Sequence, residues 1–275
     1  MKKVFDFGKN WQNFVKMYLN DKRIEEAKRS LCEFLEINDL TGKTFLDIGC
    51  GSGLFSLAAL RLGTSKVVSF DVDPFSVKCA KTLWQQEGSP VNWEIFEGSV
   101  LDEGLIKKLG TFDIVYSWGV LHHTGDMWQA IENATYLVNK DGLLYIAIYN
   151  KADGVGIYPD GRFGPSKFWQ IEKRIYSQLP AFVQNLIDFG VMGFLILAYL
   201  LTFNNPIKKI RNHISLRGMS WHIDIKDWLG GYPYEYASVS EIFKFMKKKG
   251  FELMNLKNNN GLMNNEYLFK KIIAQ

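Results

Sequence analysis

Three glycines stand at alternate positions in "TFLDIGCGSGLFSLAA", Thr44 to Ala59, and an acid, Asp47, lies just before the first of them. Gly49, Gly51 and Gly53 follow a short apolar run and precede a helical one, so they form a turn between a strand and a helix. Such a turn, with a helix N-terminus behind it, is a common docking point for nucleotide cofactors. Asp47 narrows the choice. A diphosphate over this turn would be repelled, whereas a guest with a cationic amine and no phosphate would gain, directly or through water. About 20 residues further on, Asp71 ends a second apolar run, where it is placed to accept hydrogen bonds from both hydroxyls of a ribose.

S-adenosylmethionine has the character these two acids ask for: an adenosine, a sulfonium and a zwitterionic amino acid. Nicotinamide and flavin dinucleotides satisfy the glycines and Asp71 but not Asp47. The spacing also departs from G-x-G-x-x-G, because position 54 is Leu.

The elements that must position these groups alternate along the chain. Thr44–Ile48, Lys66–Phe70, Val91–Phe96, Phe112–Ser117 and Leu143–Tyr149 read as strands. Leu54–Leu62, a stretch from Pro74 to about Glu87, and Met127–Val138 read as helices. Strands spaced by helices imply an α/β fold, a doubly wound and mostly parallel sheet with helices on both faces. The rhythm stops between Asn150 and about Tyr236. It resumes with a helix at Val239–Lys249 and strands at Phe251–Lys257 and Glu266–Ile272. Trp11–Leu19 and Ile24–Leu35 read as amphipathic helices ahead of the sheet. The chain therefore divides into an N-terminal helical cap (1–40), a cofactor-binding domain (41–150 with 237–275) and a substrate-binding insertion (151–236). The insertion, helical or irregular, falls between the fifth strand and the last helix.

"FLDIGCGSGLFSLAA", "VVSFDVDP" and "FDIVYSWGVLHH" resemble the class I S-adenosylmethionine-dependent methyltransferase family, over roughly Thr44 to Tyr149. The resemblance implies a seven-stranded Rossmann-like sheet closed by two strands in antiparallel register. It implies that Asp47, Gly49 and Gly51 hold the methionine end, that Asp71 with Val72 meets the ribose, and that Ser99 and Val100 lie by the adenine. The backbone of Trp118 to Val120 would line the cleft, and S-adenosylhomocysteine would be the product. Many members carry an acid at position 99; here it is serine, with Asp102 as a substitute acceptor. In many such enzymes a segment before the first strand covers the cofactor. Lys9, Asn10 or Trp11 would then reach the methionine carboxylate or the sulfonium; equally, Trp11 and Phe14 would start a helix packed in the core.

Methyl transfer requires an aligned nucleophile and exclusion of water, and a hydroxyl nucleophile also needs a base. His122 and His123 follow the fourth strand at the carboxyl edge of the sheet, where ligands of open α/β sheets bind. His123 is a candidate base there; the pair alternatively orients the loop. "RGMSWHIDIKDWLGGYPYEYAS" gathers Arg217, Trp221, His222, Tyr232, Tyr234 and Glu235. Arg217 suits an anionic group, the aromatic rings suit a sugar or ring system, and His222 is a second candidate base. Asn265, near the last strand, completes the substrate set. The segment resembles "GGYP(F/Y)E" stretches in methyltransferases of bacterial capsule and lipopolysaccharide gene clusters. That implies a small polar acceptor, methylated on oxygen or nitrogen, of the kind used as a surface-polysaccharide precursor. O-methylation of a quinone ring and a non-catalytic, cofactor-binding partner subunit are the alternatives.

The whole composition sets bounds. The chain has 275 residues, 47% of them apolar and 15% aromatic, which suits one large core or a core with an insertion. The net charge of +4 includes no long basic run, so nucleic acid is not an expected partner. Three irregularly spaced cysteines give neither a disulfide framework nor metal-ligand spacing, and no metal is expected. A cytoplasmic setting follows from the cysteines and from the absence of a signal-like N-terminus. Phe189–Phe203 is the most apolar run, about 15 residues, short of the roughly 20 that span a bilayer. It reads as a helix buried over the cleft or in a contact between copies of the chain. Lys208, Lys209, Arg211 and Arg217 follow it, so a peripheral membrane contact is the alternative.

Overall fold

The computed structural model describes residues 20–152, 164–217 and 221–272, with backbone only at 212–217, 223 and 227. Lys9, Asn10, Trp11 and the side chain of Arg217 therefore lie outside the described residues.

Seven strands form one sheet: β1 (Thr44–Ile48), β2 (Lys66–Asp71), β3 (Trp93–Glu97), β4 (Phe112–Trp118), β5 (Val138–Tyr149), β6 (Phe251–Lys257) and β7 (Asn264–Lys271). Their order is β3-β2-β1-β4-β5-β7-β6. β7 runs antiparallel to both β5 and β6, while the first five strands are parallel. The chain reverses direction of growth between β1 and β4. That switch point is where open sheets of this kind leave a crevice at their carboxyl edge.

The helices follow from the apolar pattern and its caps. α1 (Asp21–Leu35) buries Ile24, Ala27, Leu31 and Leu35, a single stripe at helical spacing. α2 (Leu54–Arg61), α3 (Pro74–Gln86), α4 (Glu103–Leu109) and α5 (Met127–Tyr136) fill the crossovers. Asp73 caps α3 ahead of Pro74, and Asp102 caps α4 through Gly104 and Leu105. α6 (Pro165–Tyr176), α7 (Ala181–Leu201), α8 (Pro206–Arg217) and α9 (Trp221–Gly230) make up the insertion, and α10 (Val239–Lys248) returns to the sheet.

Alternation along the strands gives the sheet two covered faces. Leu46, Ile48, Val68 and Phe70 pack with residues of α4, α5 and α10. Phe45 and Val67 face the other way, with Leu31, Leu57 and Leu83 of α1, α2 and α3. Asp47 and Ser69, cross-strand partners in register, belong to that second face. A third cluster, Tyr176, Trp221, Ile225 and Leu229, holds the inserted helices together.

Two expectations need correction, and a third is narrowed. β5 starts at Val138 and not Leu143, because Val138 pairs with Phe112 and an irregularity absorbs the intervening residues. The insertion takes the helical of its two expected forms, with four helices among the described residues. The apolar run is part of a 21-residue helix, α7, in which only Asp188 is buried. It is neither interior nor short; among the described residues it is the one helix long and apolar enough, by length and composition, to cross a membrane.

α10 carries a reciprocal cap: Ser238 accepts from the Glu241 N–H, and Glu241 accepts from the Ser238 N–H and hydroxyl. Ser238→Ala should cost about 1 kcal/mol, measured by urea denaturation, with the denaturant slope unchanged.

Candidate active site

The glycine turn is built as the sequence implies. Gly49, Gly51 and Gly53 all have positive φ, at 73, 52 and 82°. Close approach also requires Gly49 and Gly53. A Cβ on Gly49 would fall 2.4 Å from Val120 Cγ1, and one on Gly53 2.9 Å from the Ala80 backbone. The turn after β1 is thus pressed against the turn after β4, so Gly49 and Val120 line one crevice. The Gly49 and Cys50 N–H groups both donate to the Phe70 carbonyl, at 2.8 and 3.1 Å.

Asp71 fastens the turn from the neighbouring strand. Its Oδ2 accepts from Gly51 N–H and its Oδ1 from Asp73 N–H, each at 2.9 Å. Burial raises its pKa against these two bonds, and Asp73 adds to the rise. Val72, beside it, is exposed and offers an apolar platform.

Asp47 is only 2% exposed, so it lies under the turn and not in the open crevice. Its Oδ2 accepts from the Ser56 hydroxyl at 2.5 Å; Ser56 accepts from Ser69 at 2.8 Å, and Ser69 from the Trp93 indole N–H at 2.9 Å. This relay runs beneath α2 across β1, β2 and β3. Sequence reasoning did not find Ser56, Ser69 or Trp93. The available signal was a serine paired in register with Asp47 inside otherwise apolar strands. Burial lifts the Asp47 pKa to about 7; the Ser56 bond opposes the rise and Asp71 adds to it. Two carboxylates held close at this edge disfavour each other's charge, and a cation placed beside them would relieve both. A buried acid pair with a ribose-type acceptor and an apolar platform fits a phosphate-free, cationic nucleoside such as S-adenosylmethionine.

The adenine side is less complete. Ser99 accepts from Leu101 N–H, and Asp102 caps α4 through its Oδ1. The Val100 side chain is core, and its carbonyl accepts from Asn133 at 2.8 Å. Trp118 is 46% exposed at the end of β4.

A second cluster stands where β4 and β5 end. The rings of His122, His123, Tyr149, Tyr234 and Tyr236 form a chain of contacts with centroids 4.1–5.7 Å apart. His123 Nδ1 lies 2.6 Å from the Pro233 carbonyl. A carbonyl only accepts, so the neutral ring carries its proton on Nδ1 and its basic lone pair on Nε2. Burial pulls the His123 pKa down to about 4, with Pro233 opposing and the Lys173 charge adding to the fall. His122 is fully buried and its pKa is lower still than an ordinary histidine's, chiefly from burial, so it cannot charge readily. Lys173 is buried on α6, with its Nζ 5.1–6.0 Å from the ring centres of Trp228, Tyr234 and Trp169. Burial pulls its pKa down to about 8 against the charge of Glu172. Lys173 and Trp169 were missed in the sequence, because a lysine on an amphipathic helix reads as solvated.

Several expected substrate groups are also engaged by the fold. Trp221 is buried among the inserted helices, so it is core. Asn265 is fully buried with both amide atoms bonded, to Asn150, Tyr267 and Asn259 N–H, and it anchors the asparagine-rich connection. Glu235 accepts from Met127 N–H at the start of α5. His222 is exposed on α9, outside the ring chain, and no hydrogen bond among the described residues orients it. Tyr234 does belong to the cluster, and Tyr232 is partly buried two residues before it.

The two titrating groups act on stability with opposite sign. Asp47 binds its proton more tightly folded than unfolded, so its contribution is lost as pH rises from about 4 to 7. His123 binds its proton less tightly folded, so its contribution is lost as pH falls from 6.5 to about 4. Each amounts to a few kcal/mol at most (about 1.4 kcal/mol per pH unit), and in the native chain they offset. Asp47→Asn should therefore be more stable than the native chain above pH 7 and similar near pH 4, by thermal melts across pH; superimposable profiles would contradict the burial argument.

Comparison with known proteins agrees with this geometry. Residues 46–144 match the model of a family described as a methyltransferase domain. Ribosomal protein L11 methyltransferases are similar over short stretches: 41% identity over 87 residues for Vibrio campbellii, 52% over 90 for Aliivibrio salmonicida. Each covers about a third of both chains, so this chain spans only about a third of the length of those relatives. Among solved structures, the magnesium protoporphyrin IX methyltransferase of Synechocystis PCC 6803 with bound SAH aligns with 96% of this chain and 93% of its own, at TM-score 0.54 and 13% identity. An O-methyltransferase family protein from Burkholderia thailandensis aligns over 100% and 66%, at TM-score 0.55 and 13% identity. At that identity the likeness concerns the fold. Residues 46–144 thus match a methyltransferase domain, and they lie within a seven-stranded sheet whose fold is shared with solved methyltransferases.

Proposed function

We propose that the protein transfers the methyl group of S-adenosylmethionine to an oxygen or nitrogen of a small polar acceptor, a precursor of a bacterial surface polysaccharide. The observation that carries the cofactor half is the buried Asp47 beside Asp71, both with raised pKa, around a glycine turn. The polysaccharide half is supported by the resemblance of "GGYPYE", Gly230 to Glu235, and by the aromatic cluster that segment joins.

When bound, S-adenosylmethionine supplies a methyl group on a cationic sulfur. Gly49 and Gly51 keep the turn open to it, and Asp71 offers its remaining lone pairs to the ribose hydroxyls. Asp47 provides negative potential from beneath the turn. His123 takes the proton of the acceptor on Nε2, with Nδ1 held by Pro233. Burial keeps that ring neutral and so ready to accept, and the Lys173 charge adds to the effect. The rings of Tyr149 and Tyr234 exclude water from the same place. A lipophilic phenol such as a quinone precursor is the second reading, favoured by the exposed apolar α7 on the same inserted unit.

Calorimetry with S-adenosylhomocysteine tests the cofactor half. A cationic guest favours ionised Asp47, so binding should tighten about tenfold from pH 6 to pH 8, and Asp47→Asn should flatten that dependence while weakening binding. No binding at any pH would end the reading. Transfer of tritiated methyl into aqueous against lipid-phase cell extracts separates the two acceptor classes.

The base assignment has its own readout. His123→Gln should lower kcat about a hundredfold or more with KM little changed. Lys173→Met should move the acid limb of kcat/KM up from about pH 4. An unmoved limb would show that Lys173 does not set the protonation of His123.

A further inference from the structure

The inserted helices carry a surface that methyl transfer does not use. α7 is apolar on both sides. Its inner side, Ile187, Val191, Met192, Leu195, Ile196 and Tyr199, packs on the helical cluster. Its outer side exposes Phe182, Leu186, Phe189, Phe194, Leu197 and Leu200. These positions recur at helical spacing and form one stripe along about 30 Å of helix. The stripe continues past the helix end through Leu201, Phe203 and Ile207, the last on α8. A contiguous apolar surface of this length is unusual unless something covers it.

Charge identifies the occupant. Between Ala181 and Arg211 the charged residues are Asp188, Lys208, Lys209 and Arg211. Asp188 is buried, accepts from the Tyr176 hydroxyl at 2.6 Å and has Lys226 at 4.0 Å, so it faces the protein. The three exposed charges are therefore all positive and lie at one end of the stripe. An apolar stripe with a basic end and no exposed acid matches an anionic lipid surface. We propose that α7 and the start of α8 dock the protein on an anionic membrane, with the outer stripe lying in the headgroup boundary.

The helix lies on the membrane and does not span it. Its inner side carries Asp188 and is occupied by α6 and α9, which bring Tyr176 and Lys226 to that carboxylate, and crossing the bilayer would draw those polar groups into hydrocarbon. The same inserted unit holds Lys173 beside His123, so docking would bring the ring cluster to the lipid surface.

Flotation of the full chain with vesicles tests this, and it needs no cofactor, so its failure leaves the methyltransferase reading standing. Vesicles of phosphatidylglycerol with phosphatidylcholine should retain at least tenfold more protein than phosphatidylcholine alone, and less in high salt. Phe189→Glu with Leu197→Glu should abolish retention without changing the thermal melt, since both side chains are exposed. Lys208→Glu with Lys209→Glu should remove the preference for the anionic lipid. Should the double glutamate variant fail to fold, Leu201→Ser alone should still weaken retention several-fold. Retention unaffected by these changes would overturn the proposal. So would a second copy of the chain covering α7, seen as a dimer that binds no vesicles and dissociates on Phe189→Glu.

Discussion

A carboxylate buried where a fold does not need one is the constraint from which the site follows. Asp47 sits on β1, inside the sheet and almost inaccessible, beside a second acid. Leaving either charge unrelieved is unfavourable. The Ser56 hydroxyl, itself held by Ser69 and the Trp93 indole, donates to the carboxylate and offsets part of that cost without supplying a positive charge. Among the described residues, no lysine or arginine is a cause of its pKa shift. The arrangement is unfavourable for the ionised chain alone and favourable with a cation in the crevice. Locally costly sites of this kind belong to function more often than to folding.

The rest of the sheet serves to hold that crevice in shape. Asp71 reaches across from β2 to Gly51, and Val120 presses from β4 on Gly49. Three crossovers and a parallel register therefore converge on a few backbone atoms. The antiparallel strands β6 and β7 extend the sheet on the far side, and Asn265 locks their connection to Asn150 at the end of β5.

Much of this was legible in the sequence, for local reasons. β1 and β6 have the bounds that apolar alternation assigns, and the glycines of the turn need the conformations they adopt. Asp47 and Asp71 were legible because their charge constrains the guest. The inserted unit was less so. Trp221 and His222 are neighbours in sequence, yet one is core and the other exposed, a distinction that only helix packing makes. Lys173 lies 50 residues from His123 and 55 from Trp228, and no short-range pattern signals that they meet. The length of α7 was hidden because Asn185 and Asp188 interrupt the apolar run, and the fold turns Asp188 inward.

The direct test of the central claim is a competition in the crevice. S-adenosylhomocysteine and NADH, titrated separately by calorimetry at pH 8, differ in the feature that Asp47 reads: one carries an ammonium group, the other a diphosphate. Tight S-adenosylhomocysteine binding, with no detectable NADH binding, is the expected result. Tight NADH binding without S-adenosylhomocysteine binding would contradict the account at its electrostatic root.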